Sequence, residues 1–152
     1  MTVLVRQATA DDLELVVPMF DAYRRFYHLP PDLDAARHFL SERIRLRDSV
    51  IFVATDPDAN DVGLGFAQLY PRLCSLALGY YGFLYDLFVS TNARRHGVGK
   101  QLLLAVHDYA REARLDRVEL QTARTNAQAQ ALYESLGWTR DDIFEVYIWR
   151  CA

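Results

Sequence analysis

Between residues 94 and 100 the chain reads Arg-Arg-His-Gly-Val-Gly-Lys, and this is the stretch best suited to hold an anion. Gly97 and Gly99 let backbone N–H groups approach a ligand closely. A helix starting there adds about half a positive charge at its N-terminus. Arg94, Arg95 and Lys100 supply three formal positives, with no Asp or Glu between residues 90 and 107 to offset them. Together these features describe a phosphate or pyrophosphate cradle, though spacing alone equally permits a glycine turn with solvated arginines. Two familiar phosphate motifs do not fit. A P-loop requires Gly where Arg94 stands and Ser or Thr where Gln101 stands. A dinucleotide fingerprint requires a third glycine at the position of Leu102.

Asp86 is the second candidate. It lies in the apolar run Phe83-Leu84-Tyr85-Asp86-Leu87-Phe88-Val89, where a carboxylate is costly unless partnered. Such an acid either pairs structurally with an arginine or takes up a proton. Tyr133 shares a helix face with Ala129, Leu132 and Leu136, a spacing that reads as a packed aromatic, and Asn126 reads as a helix N-cap. Cys74 and Cys151 form neither a disulfide framework nor a metal-ligand spacing with the four histidines, so no metal site is expected.

The elements that must position these residues alternate in period. Residues 2–8 read as a strand. Thr9 and Asp12 give a capping-box start to a helix running to about Tyr27, and Pro30-Pro31 breaks the chain. Asp32 caps a helix over 33–47. Strands follow at 50–54, 63–70 and 82–89, the first two joined by a turn at 56–61. The glycine loop then opens a helix to about residue 113. A strand at 118–122, a helix at 127–136 stopped by Gly137, and two late strands at 138–141 and 144–150 complete the order. The pattern β-α-α-β-β-β-α-β-α-β-β belongs to a mixed α/β (α+β) sheet.

In that order of elements, Arg94-x-x-Gly97-x-Gly99 after the strand Asp86-Leu87-Phe88-Val89 resembles the acyl-CoA-binding motif of the GNAT superfamily of N-acetyltransferases. The family's second motif follows: Val118-Glu119-Leu120-Gln121-Thr122, then Asn126, then Ala131-Leu132-Tyr133-Glu134-Ser135-Leu136-Gly137-Trp138, with Trp in place of the usual Phe. The resemblance covers nearly the whole chain. It implies a mixed, mostly antiparallel sheet of about seven strands with about four helices, splayed at the acyl-CoA cleft, in one domain spanning residues 1–152.

The activity implied is transfer of an acetyl group from acetyl-CoA to a primary amine of a small molecule, directly, in a ternary complex. The backbone of Leu87, Phe88 and Val89 would bond the pantetheine arm and stabilise the oxyanion. Arg94, Arg95, His96, Gly97, Val98, Gly99 and Lys100 would hold the pyrophosphate. Asn126 and Ala129 would meet the pantetheine arm, and Tyr133 would stand near the sulfur as general acid. Asp86 is the leading candidate for the base or for binding the ammonium, with Glu145 or a water chain as weaker alternatives, while Glu119 lies beside the cofactor motif in a position equally suited to face solvent. Tyr23, Phe26, Tyr27 and His28 are candidates for the acceptor wall, although core packing of an amphipathic helix is the stronger reading of each taken singly, and Tyr85 and Asp86 are further candidates for contact with the acceptor. The strand is also similar to that of diamine acetyltransferases, but Tyr85 replaces an acid there, which weakens the case for a polycationic acceptor. A CoA-binding domain without turnover, or one that acetylates proteins, is the alternative on the same fold.

Composition sets the outer bounds. The chain has 152 residues, 51% apolar and 24% charged, with a net charge of −3. That balance argues against a nucleic-acid partner. Seven basic and eleven acidic residues fall in 1–61, against ten and nine thereafter. The only lysine, Lys100, sits in the proposed cradle. No signal peptide and no apolar span long enough for a membrane is visible, so a cytoplasmic location is expected. The family resemblance, and not the composition, implies a homodimer paired through the late strands.

Overall fold

A strand that is apolar along its length asks for cover on both faces. Val50–Asp56 (β2), apolar from Val50 to Ala54, is such a strand and is buried at every position. Leu4–Gln7 (β1) and Val62–Cys74 (β3) flank it, both antiparallel. Gly79–Val89 (β4) pairs antiparallel with β3, and Val118–Leu120 (β5) pairs parallel with β4. The sheet order is β1-β2-β3-β4-β5. This is the expected mixed, mostly antiparallel sheet, with five strands among the described residues instead of about seven. The computed structural model describes residues 1–151 and comprises two compact units, Met1–Gln121 and the chain from Thr122 on.

The first unit holds the sheet and the helices Leu13–Phe26 (α1), Leu33–Leu46 (α2) and Val98–Glu112 (α3). Strand pairing puts Val53, Phe66 and Phe88 on one face. There Phe20 and Tyr23 of α1 rest with ring centroids 6.0 and 5.9 Å from Phe66. Phe52, one residue along β2 and so on the other face, meets Tyr109 of α3 at 5.9 Å. Val16, Val17, Phe20, Leu40, Val53 and Phe66 make the core under α1 and α2. Each such buried side chain contributes roughly 1.5–3 kcal/mol.

The caps form where the sequence places them. Thr9 and Asp12 make a capping box around the short 3-10 turn Ala10–Asp12 that leads into α1. Asp12 also takes both terminal nitrogens of Arg6 at 2.7 and 2.8 Å, tying the cap to β1. The Arg6 guanidinium holds that carboxyl down at about 2. Asp32 caps α2 by accepting the Ala35 N–H at 2.9 Å, and Asp21 of α1 accepts the Asp32 N–H at 2.8 Å.

The second unit contains Ala127–Ser135 (α4). Residues 138–141 and 144–150, expected as two further strands, form no ladder among the described residues. A strand has no hydrogen bonds of its own and forms only against an edge, so an apolar alternation states a preference without supplying a partner. No described helix is long and apolar enough to cross a membrane.

Candidate active site

The site begins with a misfit between two strands. β3 and β4 stay in register from Cys74↔Gly79 to Leu69↔Leu84, and again from Gln68↔Asp86 to Gly65↔Val89. Tyr85 is left over as a β-bulge. Strict alternation from Phe83 would turn Asp86 toward the α3 face. The extra residue instead puts Asp86 on the face of Gln68, Tyr70 and Phe83, beneath α1.

Asp86 is 3% exposed and Gln68 opposite it is fully buried. The Gln68 amide donates to Asp86 Oδ2 at 2.8 Å, and Ser49 Oγ donates to Gln68 Oε1 at 2.8 Å, which fixes the way the amide faces. Burial pushes the Asp86 carboxyl up to about 6, against the opposing pull of hydrogen bonds from Gln68 and Tyr23. Its partner is therefore an amide and not the arginine that a structural reading of the sequence would require. The Tyr23 hydroxyl also donates to the Tyr85 carbonyl at 3.2 Å. Burial, and then the Asp86 charge, push the Tyr23 and Tyr70 phenols well above their ordinary value, so both remain protonated.

Next to Asp86 the backbone lies open. β5 pairs with β4 only as far as Leu84↔Leu120, so the outer edge of β4 from Tyr85 to Val89 carries no ladder among the described residues. This is the expected splay, and it leaves the edge of Leu87, Phe88 and Val89 available for a bound chain. Beyond Val89, a 3-10 turn at Thr91–Ala93 and the buried residues Ala93 and Val98 anchor the glycine loop. The Val89 carbonyl accepts from Arg94 Nε at 3.3 Å, and His96 Nδ1 lies 2.8 Å from the Arg94 carbonyl. Gly97, at φ +78°, is the N-cap of α3, and no side chain caps this helix end. The first in-helix bond is the Gln101 N–H to the Gly97 carbonyl at 3.0 Å. The amides of Val98, Gly99 and Lys100 thus have no carbonyl a turn earlier, and Arg94, Arg95, His96 and Lys100 are exposed beside them. This donor set fits a pyrophosphate.

On the α2 side of the bulge lies an open cleft of about 530 Å³, lined by Phe39, Asp48, Tyr70, Pro71, Arg72 and Tyr85. Tyr85 meets Tyr70 edge-on at 6.0 Å and Phe83 at 5.9 Å. The sequence nominated Tyr85 alone of these. Gln68 is not among the sequence candidates either, although a lone amide in Leu64-Gly65-Phe66-Ala67-Gln68-Leu69 is the same kind of signal that singles out Asp86.

The remaining candidates lie elsewhere. Tyr27 rests edge-on against Tyr23 at 5.1 Å and is mostly exposed, as are Phe26 and His28. None of the three lines the cleft. Glu119 is paired with Arg117 at 2.7 Å, and Glu145 is exposed. In the second unit, the Asn126 side chain accepts the Ala129 N–H at 3.2 Å, so its capping role is real. Tyr133 is half-buried on α4, with its ring 6.0 Å from that of Trp138, and Gly137 at φ +86° ends the helix.

Comparison with known proteins bears on this arrangement. The family described as Acetyltransferase (GNAT) family matches residues 16–138. The chain is 38% identical over 143 residues to the uncharacterized N-acetyltransferase YhfO of Bacillus subtilis, covering 94% of each. It superposes on the crystal structure of a probable acetyltransferase with a TM-score of 0.91 at 38% identity, covering 100% of this chain and 99% of the other. The fold is shared with the aminoglycoside N-acetyltransferase AAC(6')-Iy in complex with CoA, at a TM-score of 0.80, 22% identity, and 99% and 96% coverage.

Proposed function

The chain belongs to the acetyltransferase (GNAT) family, an acyltransferase family, and we propose that it moves the acetyl group of acetyl-CoA to a primary amine of a small molecule. The observation that carries this reading is the bulge at Tyr85, which sets an uncompensated carboxylate beside an open strand edge. The transfer is direct, in a ternary complex, and the whole chain acts as one N-acetyltransferase domain. It works in the cytoplasm as a homodimer.

Each residue's part follows from its chemistry. The exposed edge at Leu87, Phe88 and Val89 holds the extended arm of the cosubstrate. The α3 amides with Arg94, Arg95, His96, Gly97 and Lys100 hold its pyrophosphate, and Asn126 and Ala129 contact the arm. Asp86 accepts a proton from the attacking amine, or holds the ammonium before it loses one, with Gln68 and Tyr23 fixing its orientation. A carboxyl at about 6 is ionised at neutral pH yet a stronger base than an exposed one. The nitrogen lone pair forms the C–N bond as the C–S bond breaks, and Tyr133 returns a proton to the departing thiolate.

Calorimetry with acetyl-CoA, followed by thiol release over a panel of amines, tests the reading. Binding without release for any amine overturns transfer to a small amine. For Tyr133, the expected result of Tyr133→Phe is unchanged acetyl-CoA affinity with kcat lowered about tenfold or more. Full kcat across pH removes the phenol from the chemistry.

A further inference from the structure

We propose that the amine acceptor also carries a carboxylate, which Arg72 binds: the substrate class is an amino acid with an apolar or aromatic side chain. The inference rests on the acetyltransferase reading above and concerns the same site. Two charged residues line the cleft, Asp48 and Arg72. Asp48 is already neutralised by Arg43 Nε at 3.0 Å, and Arg43 is itself held over the Phe39 ring at 4.8 Å. Arg72 enters no ion pair among the described residues. The one unpaired charge lining the cleft is therefore positive, and with the Asp86 carboxylate next along the strand from Tyr85 the site offers one cation and one anion, which disfavours a polycation and favours an acceptor with an anionic group beside its ammonium.

Arg72 is also pre-ordered. Its guanidinium lies over the Phe83 ring, 3.9 Å from the centroid. Stacking occupies a face and leaves the N–H edge for the bidentate fork that suits a carboxylate. Phe83 pairs with Tyr70, and Asp86 with Gln68, on one face of the sheet. Those pairs are two residues apart on β3, about 7 Å along the strand. In the proposal, Asp86, buried beside the lining residue Tyr85, takes the ammonium end of a short acceptor and the Arg72 guanidinium over Phe83 its carboxylate end. Tyr70, Tyr85 and Phe39 give the cleft flat apolar walls for a side chain.

The test compares phenylalanine with phenethylamine, which lacks only the carboxylate, as acceptors for acetyl-CoA-dependent thiol release. Expected is kcat/KM at least about tenfold higher for phenylalanine, with the difference in KM more than in kcat, since a paired charge contributes mainly to binding. Arg72→Gln collapses that ratio, and Arg72→Lys restores only part of it. The ratio is the readout, so a general loss of folded enzyme cannot mimic the effect. Equal use of both amines, preference for phenethylamine, or a ratio unmoved in Arg72→Gln overturns the carboxylate assignment and leaves acetyl transfer standing. Binding of acetyl-CoA with transfer to no amine overturns both.

Discussion

Burial raises the Asp86 carboxyl to about 6, and the same shift has opposite consequences for activity and stability. For activity the acid must be ionised, so kcat/KM is expected to fall as pH drops through about 6. Asp86→Asn should lack that limb and lose about a hundredfold or more of kcat/KM at neutral pH, measured as a pH–rate profile. For stability, the folded protein holds this proton more tightly than the unfolded chain, whose ordinary value is 3.8. The contribution is present in full below that value and is lost as pH rises through the folded value. Asn cannot ionise and can turn its amide to keep the Gln68 contact. Asp86→Asn is therefore expected to be the more stable protein at pH 8 by about 1–3 kcal/mol, with the advantage shrinking toward pH 5. Urea unfolding at both pH values checks this, and an advantage that does not change with pH contradicts the assignment of a buried, ionising acid.

Two glycines test the elements on either side of that residue in different ways. Gly97 sits at φ +78°, and a Cβ there would meet nothing within 4 Å. Gly97→Ala therefore costs backbone strain alone, about 1–2 kcal/mol. The expected result is a folded protein with weaker acetyl-CoA binding, because relief of the strain turns the α3 amides; calorimetry reads it. Gly65 is an ordinary strand residue, but its Cβ would stand 2.5 Å from the Phe88 carbonyl oxygen. Gly65→Ala must part β3 from β4 and is expected to destabilise by about 3 kcal/mol, seen as a fall in Tm. The first of these glycines was legible in the sequence, since Gly-x-Gly before a helix states its own purpose. The second was not, because close approach depends on which strand lies opposite. The same distinction divides the site. Asp86 and the glycine loop stand out by residue type against their immediate neighbours. Arg72, Tyr70 and Asp48 become a cleft only through the β3–β4 register and the leftover residue at Tyr85, which no local pattern reveals. The late segment misleads for the converse reason: its alternation is real, and the edge a strand needs is not a property of the segment.

The late segment itself is apolar and uncovered. Ile143, Phe144, Val146, Tyr147, Ile148 and Trp149 are each at least 66% exposed within seven residues of chain. Scattered exposed apolar residues are ordinary, whereas a contiguous run of this size is the composition of an interaction surface. The segment also has the β-branched and aromatic composition of a strand and no ladder among the described residues. In the proposed homodimer a second copy of the chain would supply both at once, apolar cover and backbone partners, and a two-fold axis would let each copy give what it receives. The expected outcome in sedimentation at micromolar concentration is a particle of twice the 17.5 kDa chain mass. The double substitution Tyr147→Asp with Trp149→Asp is expected to reduce it to the single-chain mass while circular dichroism keeps the helix signal, since no helix contains either residue. A wild-type chain that sediments as a monomer, or a variant that remains dimeric, places the interface elsewhere or removes it.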